Sequence, residues 1–167
     1  MNLSRYNGHT VTNSMGVFMA LIKSDCRGVD RFEGEANDCT VRALANVLGA
    51  PYPLAHRLLS AAGRKPKRGM LWSQWSKVYS RLGIKMVSVH GSTKSARFIA
   101  RASGVKLSQG ITIEKMLPLI SKGRYIVQVT GHVFAVIDGK ILDYGHNPAG
   151  ARVASLYKLE SQAVLFN

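Results

Sequence analysis

Cys39, His132 and Asp143 are the residues of this chain whose types and order can do covalent chemistry. A cysteine becomes a nucleophile once its thiol has lost a proton. A histidine takes and returns that proton near neutral pH, and a carboxylate behind the ring fixes its tautomer and stabilises its cationic form. Each residue alone has a plainer role: a lone cysteine is most often a small buried hydrophobe, a histidine opening a strand is often structural, and Asp143 would suit a solvated strand end. The elements that carry them decide between these readings.

Asn37 and Asp38 are both good helix-capping residues. They precede Cys-Thr-Val-Arg-Ala-Leu-Ala-Asn-Val-Leu, in which Val41, Leu44 and Leu48 recur at helical spacing before Gly49 stops the run,. The pattern predicts a helix with Cys39 in its first turn, where unpaired N–H groups and the positive dipole end favour thiolate over thiol. Asp38 opposes this as a like charge unless its carboxylate turns toward capping hydrogen bonds. Cys39 then needs a base.

His132 follows Thr130-Gly131 and opens an apolar run ending at Ile137, and Asp138-Gly139 is a strong two-residue hairpin signal before Lys140 to Asp143,. In that hairpin Ile137 faces Lys140, Phe134 faces Asp143 and His132 faces Gly145, since antiparallel partners keep a constant index sum,. His132 and Asp143 become same-face diagonal neighbours, roughly 7–8 Å apart at the backbone, a gap their side chains can close to a hydrogen bond. Glycine opposite the histidine leaves room for that approach. His146, near the hairpin end, competes with His132 as the base, although its Gly and Asn-Pro neighbours read as loop,.

The remaining elements complete an α+β order. Residues 1–36 read as an N-terminal arm around the short apolar run Gly16 to Ile22, and 37–167 as one domain. Pro53 to Ala62 predicts a second helix, and the stripe Leu71, Trp75, Val78 and Leu82 a third,. Ile84 to Val89 alternates like a strand, Ser92 to Ala102 suits a basic helix, and Thr112 caps one containing Met116, Leu117 and Ile120,. Tyr125 to Val129 supplies a further strand ahead of the hairpin.

The 167 residues, 46% of them apolar, are enough for one core and exclude a disordered or staple-dependent chain,. Met15 to Ile22 is too short to cross a membrane and lacks the flanks of a secretion signal, so neither anchor nor leader is expected, and a cytoplasmic setting is,. With only Cys26 and Cys39, and no histidine spacing suited to a metal, neither a disulfide framework nor a metal or other cofactor is expected,. Cys26 reads as a spectator, since a disulfide to Cys39 would silence the nucleophile.

The charge is far from balanced. Lys and Arg number 23 against 9 Asp and Glu, a net +14, and no acid occurs between Thr40 and Ile113. Such a surface attracts polyanions. Arg64, Lys65, Lys67 and Arg68 form its densest cluster, and Trp72, Trp75 and Tyr79 follow closely enough to suggest base stacking, although the helical stripe assigns Trp75 to the core,.

Asp38-Cys39-Thr40-Val41-Arg42-Ala43-Leu44-Ala45, followed far downstream by Gly131-His132-Val133-Phe134-Ala135-Val136-Ile137 and Ile141-Leu142-Asp143, resembles the papain-like cysteine peptidases. The likeness is to the branch containing bacteriocin-processing peptidases and related small phage or bacterial proteins, and it covers roughly residues 33 to 145,. It implies an N-terminal helical part whose central nucleophile helix packs on a C-terminal antiparallel sheet. It also implies a Cys39-His132-Asp143 triad that cleaves a peptide or isopeptide bond. Two positions depart from the family pattern. Glu33 stands where the family has an oxyanion-binding Gln, which leaves Asn37 and the Cys39 N–H as the candidate donors, and Thr40 replaces a glycine,.

Two functions are therefore expected. One is a thiol hydrolase acting on a protein or peptide. The other is a non-catalytic basic module that binds nucleic acid or assembles in a phage virion, with the N-terminal arm serving a protein partner in host cytoplasm or particle.

Overall fold

The computed structural model describes residues 9–12, 18–23, 32, 34–83, 85–91, 110–143 and 149–160, with side chains omitted for 9–12, 18–23 and 87–91. The predicted basic helix at Ser92 to Ala102, Glu33, Cys26 and His146 lie outside the described residues.

In chain order the elements are β1 (His9–Thr12), β2 (Phe18–Lys23), α1 (Cys39–Leu48), α2 (Tyr52–Ala61), α3 (Trp72–Arg81), β3 (Met86–Gly91), α4 (Ile113–Met116) with a 3-10 turn at Leu117–Ile120, β4 (Arg124–Val129), β5 (His132–Ile137), β6 (Lys140–Asp143) and β7 (Val153–Leu159). The strands form one sheet in the order β1-β2-β6-β5-β4-β7-β3. Every pairing is antiparallel except that of β2 with β6. The α+β class follows directly, and the N-terminal arm of the sequence reading contributes two strands to this sheet.

Both faces of the sheet are covered, which explains why β4 and β5 read as nearly continuous apolar runs instead of alternating. On one face α1 leads a cluster in which Val41, Leu44, Val47, Tyr52, Leu59, Trp75 and Tyr79 pack with Ile126, Val133 and Ala135. On the other, Ile113, Met116 and Ile120 pack with Val127, Phe134, Val136, Ile141 and Leu156. The helix expected after Thr112 is only four residues long before it tightens to 3-10. Pro118 is the cause: it has no N–H to give an α-helical bond, and its ring crowds the preceding turn.

The β5-β6 hairpin has the anticipated register, with Ile137 opposite Lys140, Val136 opposite Ile141 and Ala135 opposite Leu142. Its turn residues Asp138 and Gly139 have φ of 49° and 74°, the two successive left-handed residues of a type I′ turn,. A Cβ on Gly139 would also meet the Ser121 backbone at 3.4 Å. Gly139→Ala is expected to destabilise the fold by about 1–2 kcal/mol, and urea unfolding measures it.

Candidate active site

The sequence makes α1 amphipathic, and two side-chain bonds then fix how it lies on the sheet. Asn46 Nδ2 donates to Leu142 O of β6 at 3.3 Å, and Arg124 Nη1 of β4 donates to Val47 O at 2.7 Å, satisfying a carbonyl of the last turn,. Gly49, at φ 67°, closes the helix with its N–H on Asn46 O,. With its far end tied to β4 and β6, the helix presents its first residue, Cys39, at one end of the sheet. Cys39 is a half-buried free thiol.

His132 is the first residue of β5. Its parity is that of Phe134 and Val136, which belong to the face away from α1, so only its terminal position lets the ring reach the N-terminus of the helix,. Nε2 and Asp143 Oδ2 are 2.6 Å apart, the diagonal contact that the hairpin register anticipated. Asp143 is 2% exposed, whereas the His132 side chain keeps 28% of its surface. The ring pKa is raised to about 10 by the hydrogen bond with Asp143 first and by that with Cys39 second, against the opposing effect of burial,. The three residues singled out by type and spacing are therefore brought together, and His132 carries a proton at neutral pH.

Asp38 takes a part that its capping propensity did not suggest. It makes no side-chain cap to α1. Its Oδ1 accepts from Arg42 Nε at 3.2 Å and its Oδ2 from Tyr52 OH at 3.0 Å, so the carboxylate is turned into the protein and paired. The expected like-charge effect on Cys39 is thereby muted. Burial first, and then the charge and hydrogen bond of Asp38, push the Tyr52 phenol far above its ordinary range and keep it a donor. The first helical bonds of α1 come from Val41 and Arg42 N–H to Asp38 O, which leaves the N–H of Cys39 ahead of the helical ladder as the backbone donor proposed for an oxyanion,. Asn37 Nδ2 is engaged elsewhere: it donates to Lys67 O at 3.1 Å, a bond it would have to surrender to serve an oxyanion.

Comparison of the chain with protein-family models, with curated proteins and with solved structures found no match.

The basic cluster requires a correction. Arg64 is not a surface cation: its side chain has 0% exposure and its Nη2 donates to Glu35 Oε1 at 3.0 Å. Buried charge is costly unless it is paired, and Glu35 supplies the pair. Lys65, Lys67 and Arg68 are exposed as expected. Of the aromatics near the cluster, Trp75 lies in the core to which the helical stripe assigned it, and the others are also engaged within the fold. Trp75 and Tyr79 are buried, and Trp72 is stacked on Tyr157 with centroids 4.0 Å apart.

Sequence reasoning missed Glu35, whose carboxylate also accepts from Lys67 N at 2.6 Å and Ala36 N at 3.2 Å and pairs with His56 Nε2 at 3.0 Å. Its only signal was its place among the three acids Glu33, Glu35 and Asp38 just ahead of a long acid-free, basic stretch. Among the described residues no group of three His, Cys, Asp or Glu is arranged to hold a metal ion, and no helix is long and apolar enough to cross a membrane.

Proposed function

We propose that the chain is a thiol hydrolase of the papain-like kind, cleaving a peptide or isopeptide bond through Cys39, His132 and Asp143. The observation that carries the reading is the contact chain from a buried carboxylate, through an imidazole held in its cationic form, to a cysteine at a helix N-terminus. With Nε2 occupied by Asp143, the other ring nitrogen serves the sulfur. Attack requires the thiolate, with the proton that Cys39 gives up held on His132.

Thiolate attack forms a carbon–sulfur bond and moves the carbonyl electron pair onto oxygen, for which the Cys39 N–H is the candidate backbone donor. Collapse of that oxyanion breaks the carbon–nitrogen bond, and His132 gives its proton to the departing amine. The neutral ring then takes a proton from water, which attacks the thioester. The proton stays on the ring while the tetrahedral adduct collapses, the carbon–sulfur bond breaks to release the thiolate, and the carboxyl product loses its own proton to solvent, which restores the ion pair. Asp143 holds the ring throughout.

The non-catalytic alternative, a basic module for nucleic acid or virion assembly, has the net charge of +14 in its favour. It is weakened because the aromatics that would stack bases are occupied within the fold. A thiol-directed acylating probe separates the two. Wild type should label at Cys39, Cys39→Ala should not, and His132→Ala should label about 10²–10⁴-fold more slowly. Equal labelling rates in wild type and His132→Ala would remove the ring from the chemistry.

A further inference from the structure

We propose that the exposed cations of the loop 64–68 form a subsite beside Cys39 that recognises an acidic side chain of the peptide substrate. The proposal rests on the thiol-hydrolase reading and names the substrate class of that same site.

The loop is laid along the segment that leads into the nucleophile. Lys67 is clamped by its backbone on both sides: its N–H donates to Glu35 Oε1 at 2.6 Å and its carbonyl accepts from Asn37 Nδ2 at 3.1 Å. Arg64 Nη2 adds a contact to Ala36 O at 3.5 Å. A Cβ built on Gly34 would lie 3.7 Å from Lys67 Nζ, so the ammonium itself lies beside Gly34. Asn37 stands two positions before Cys39, at most about 7 Å along the chain. The loop is thus a few residues of an extended peptide away from the sulfur. Lys67 adopts a left-handed φ of 58°, a conformation unfavourable outside glycine that the two backbone bonds hold in place,.

The charges of this loop divide their work. Arg64 is consumed as the buried anchor, and Glu35 is consumed by Arg64 and His56. Among the described residues no carboxylate pairs with the side chains of Lys65, Lys67 or Arg68, and Asp38, at the N-cap of α1, is buried against Arg42 and Tyr52. Three exposed cations in a loop whose backbone is tied to Glu35 and Asn37, just ahead of the nucleophile in the chain, favour an anion there,. A nucleic acid would be expected to add base stacking to such a cluster, but Trp72, Trp75 and Tyr79 are engaged within the fold. A carboxylate of the substrate peptide fits better.

The test uses the full chain and its Lys65→Glu/Lys67→Glu/Arg68→Glu variant, whose changes are all exposed and leave the Lys67 backbone bonds possible. Cleavage is profiled on peptides paired as Asp against Asn and Glu against Gln at each position around the scissile bond. Wild type should prefer the acidic member at one position by roughly tenfold in kcat/KM, and the variant should abolish or invert that preference. In parallel, Cys39 is alkylated with iodoacetate and with iodoacetamide. The variant should lower the iodoacetate to iodoacetamide rate ratio by about threefold or more at low salt.

Cleavage without acid preference, together with an unmoved ratio, overturns the subsite and leaves the hydrolase reading standing. A moved ratio with no peptide cleaved overturns the hydrolase reading and the peptide substrate with it. Salt-sensitive protection of Cys39 by a single-stranded oligonucleotide, lost in the variant and unmatched by any peptide, assigns the loop to nucleic acid and overturns the proposal.

Discussion

Asp143→Asn should slow acylation of Cys39 by about 10–10²-fold, because the amide can still accept from Nε2 but no longer stabilises the cationic ring by its charge. The substitution keeps the shape of the side chain, so the buried space beside Nε2 stays filled. It removes the largest cause of the raised His132 pKa, leaving the Cys39 contact against an opposing burial effect. The ring should therefore titrate well below about 10, and an NMR titration of its carbon-bound protons reads the change.

Stability follows with a definite sign. A raised folded pKa means that the native state binds the proton more tightly, so the contribution of His132 is complete below the ordinary value of 6.5 and is lost as pH rises toward about 10,. Wild type should lose stability across that window, and Asp143→Asn should show a flatter profile. An unchanged His132 titration in the variant would mean that Asp143 does not govern the ring.

The hairpin that builds this pair was legible because its determinants are local. Asp138-Gly139 requires two left-handed residues in succession and so fixes the turn type, the turn type fixes the register, and the register alone makes His132 and Asp143 diagonal neighbours,. Helix α1 was legible for a similar reason, through Val41, Leu44, Leu48 and a terminal glycine. Strand parity by itself, however, would have assigned His132 to the face opposite α1. Only its position at the end of β5 reconciles the two, and no periodicity states how far a terminal ring can turn. The fate of Asp38 was partly within reach, since Arg42 lies four residues on along the same helix,.

Arg64 was hidden for the opposite reason. Within Arg-Lys-Pro-Lys-Arg its type and neighbours match those of solvated cations, and what distinguishes it is a partner 29 positions upstream. A tertiary ion pair leaves no periodic trace in one sequence. The parallel attachment of β2 to β6 is equally non-local, linking Leu21 to Ile141 across most of the chain. The aromatics show the converse case: their number near the basic loop suggested a surface role, while the spacing of Trp75 and Val78 had already assigned the core,.

Glu35→Gln should lower the unfolding free energy by about 3–5 kcal/mol, because it leaves the Arg64 guanidinium buried without a counter-charge. One carboxylate oxygen of Glu35 receives Arg64, Lys67 N and Ala36 N while the other meets His56. A glutamine can keep only one of these faces as an acceptor, and either choice leaves the guanidinium without a negative charge beside it. Arg64 Nε already lacks a partner, and the other contacts of the guanidinium, His56 Nε2 at 3.2 Å and Ala36 O at 3.5 Å, supply no carboxylate to replace Glu35.

Burial alone would raise the Glu35 pKa, but the hydrogen bonds from Arg64, His56 and the Lys67 N–H outweigh it and hold the carboxyl at about 2, against an ordinary 4.5. A depressed folded pKa contributes stability that is complete above the ordinary value and is lost as pH falls through 4.5 toward about 2,. Urea unfolding at pH 7 and pH 3 should thus separate wild type from Glu35→Gln widely at the first and narrowly at the second. A difference within about 0.5 kcal/mol at pH 7 would show that Arg64 finds water or another acceptor. The same carboxylate holds Lys67 along the approach to Cys39, so the variant should also lose preference for iodoacetate over iodoacetamide at low denaturant, where the domain is still folded. Loss of both together would tie the stability of the buried pair to the placement of the exposed cations.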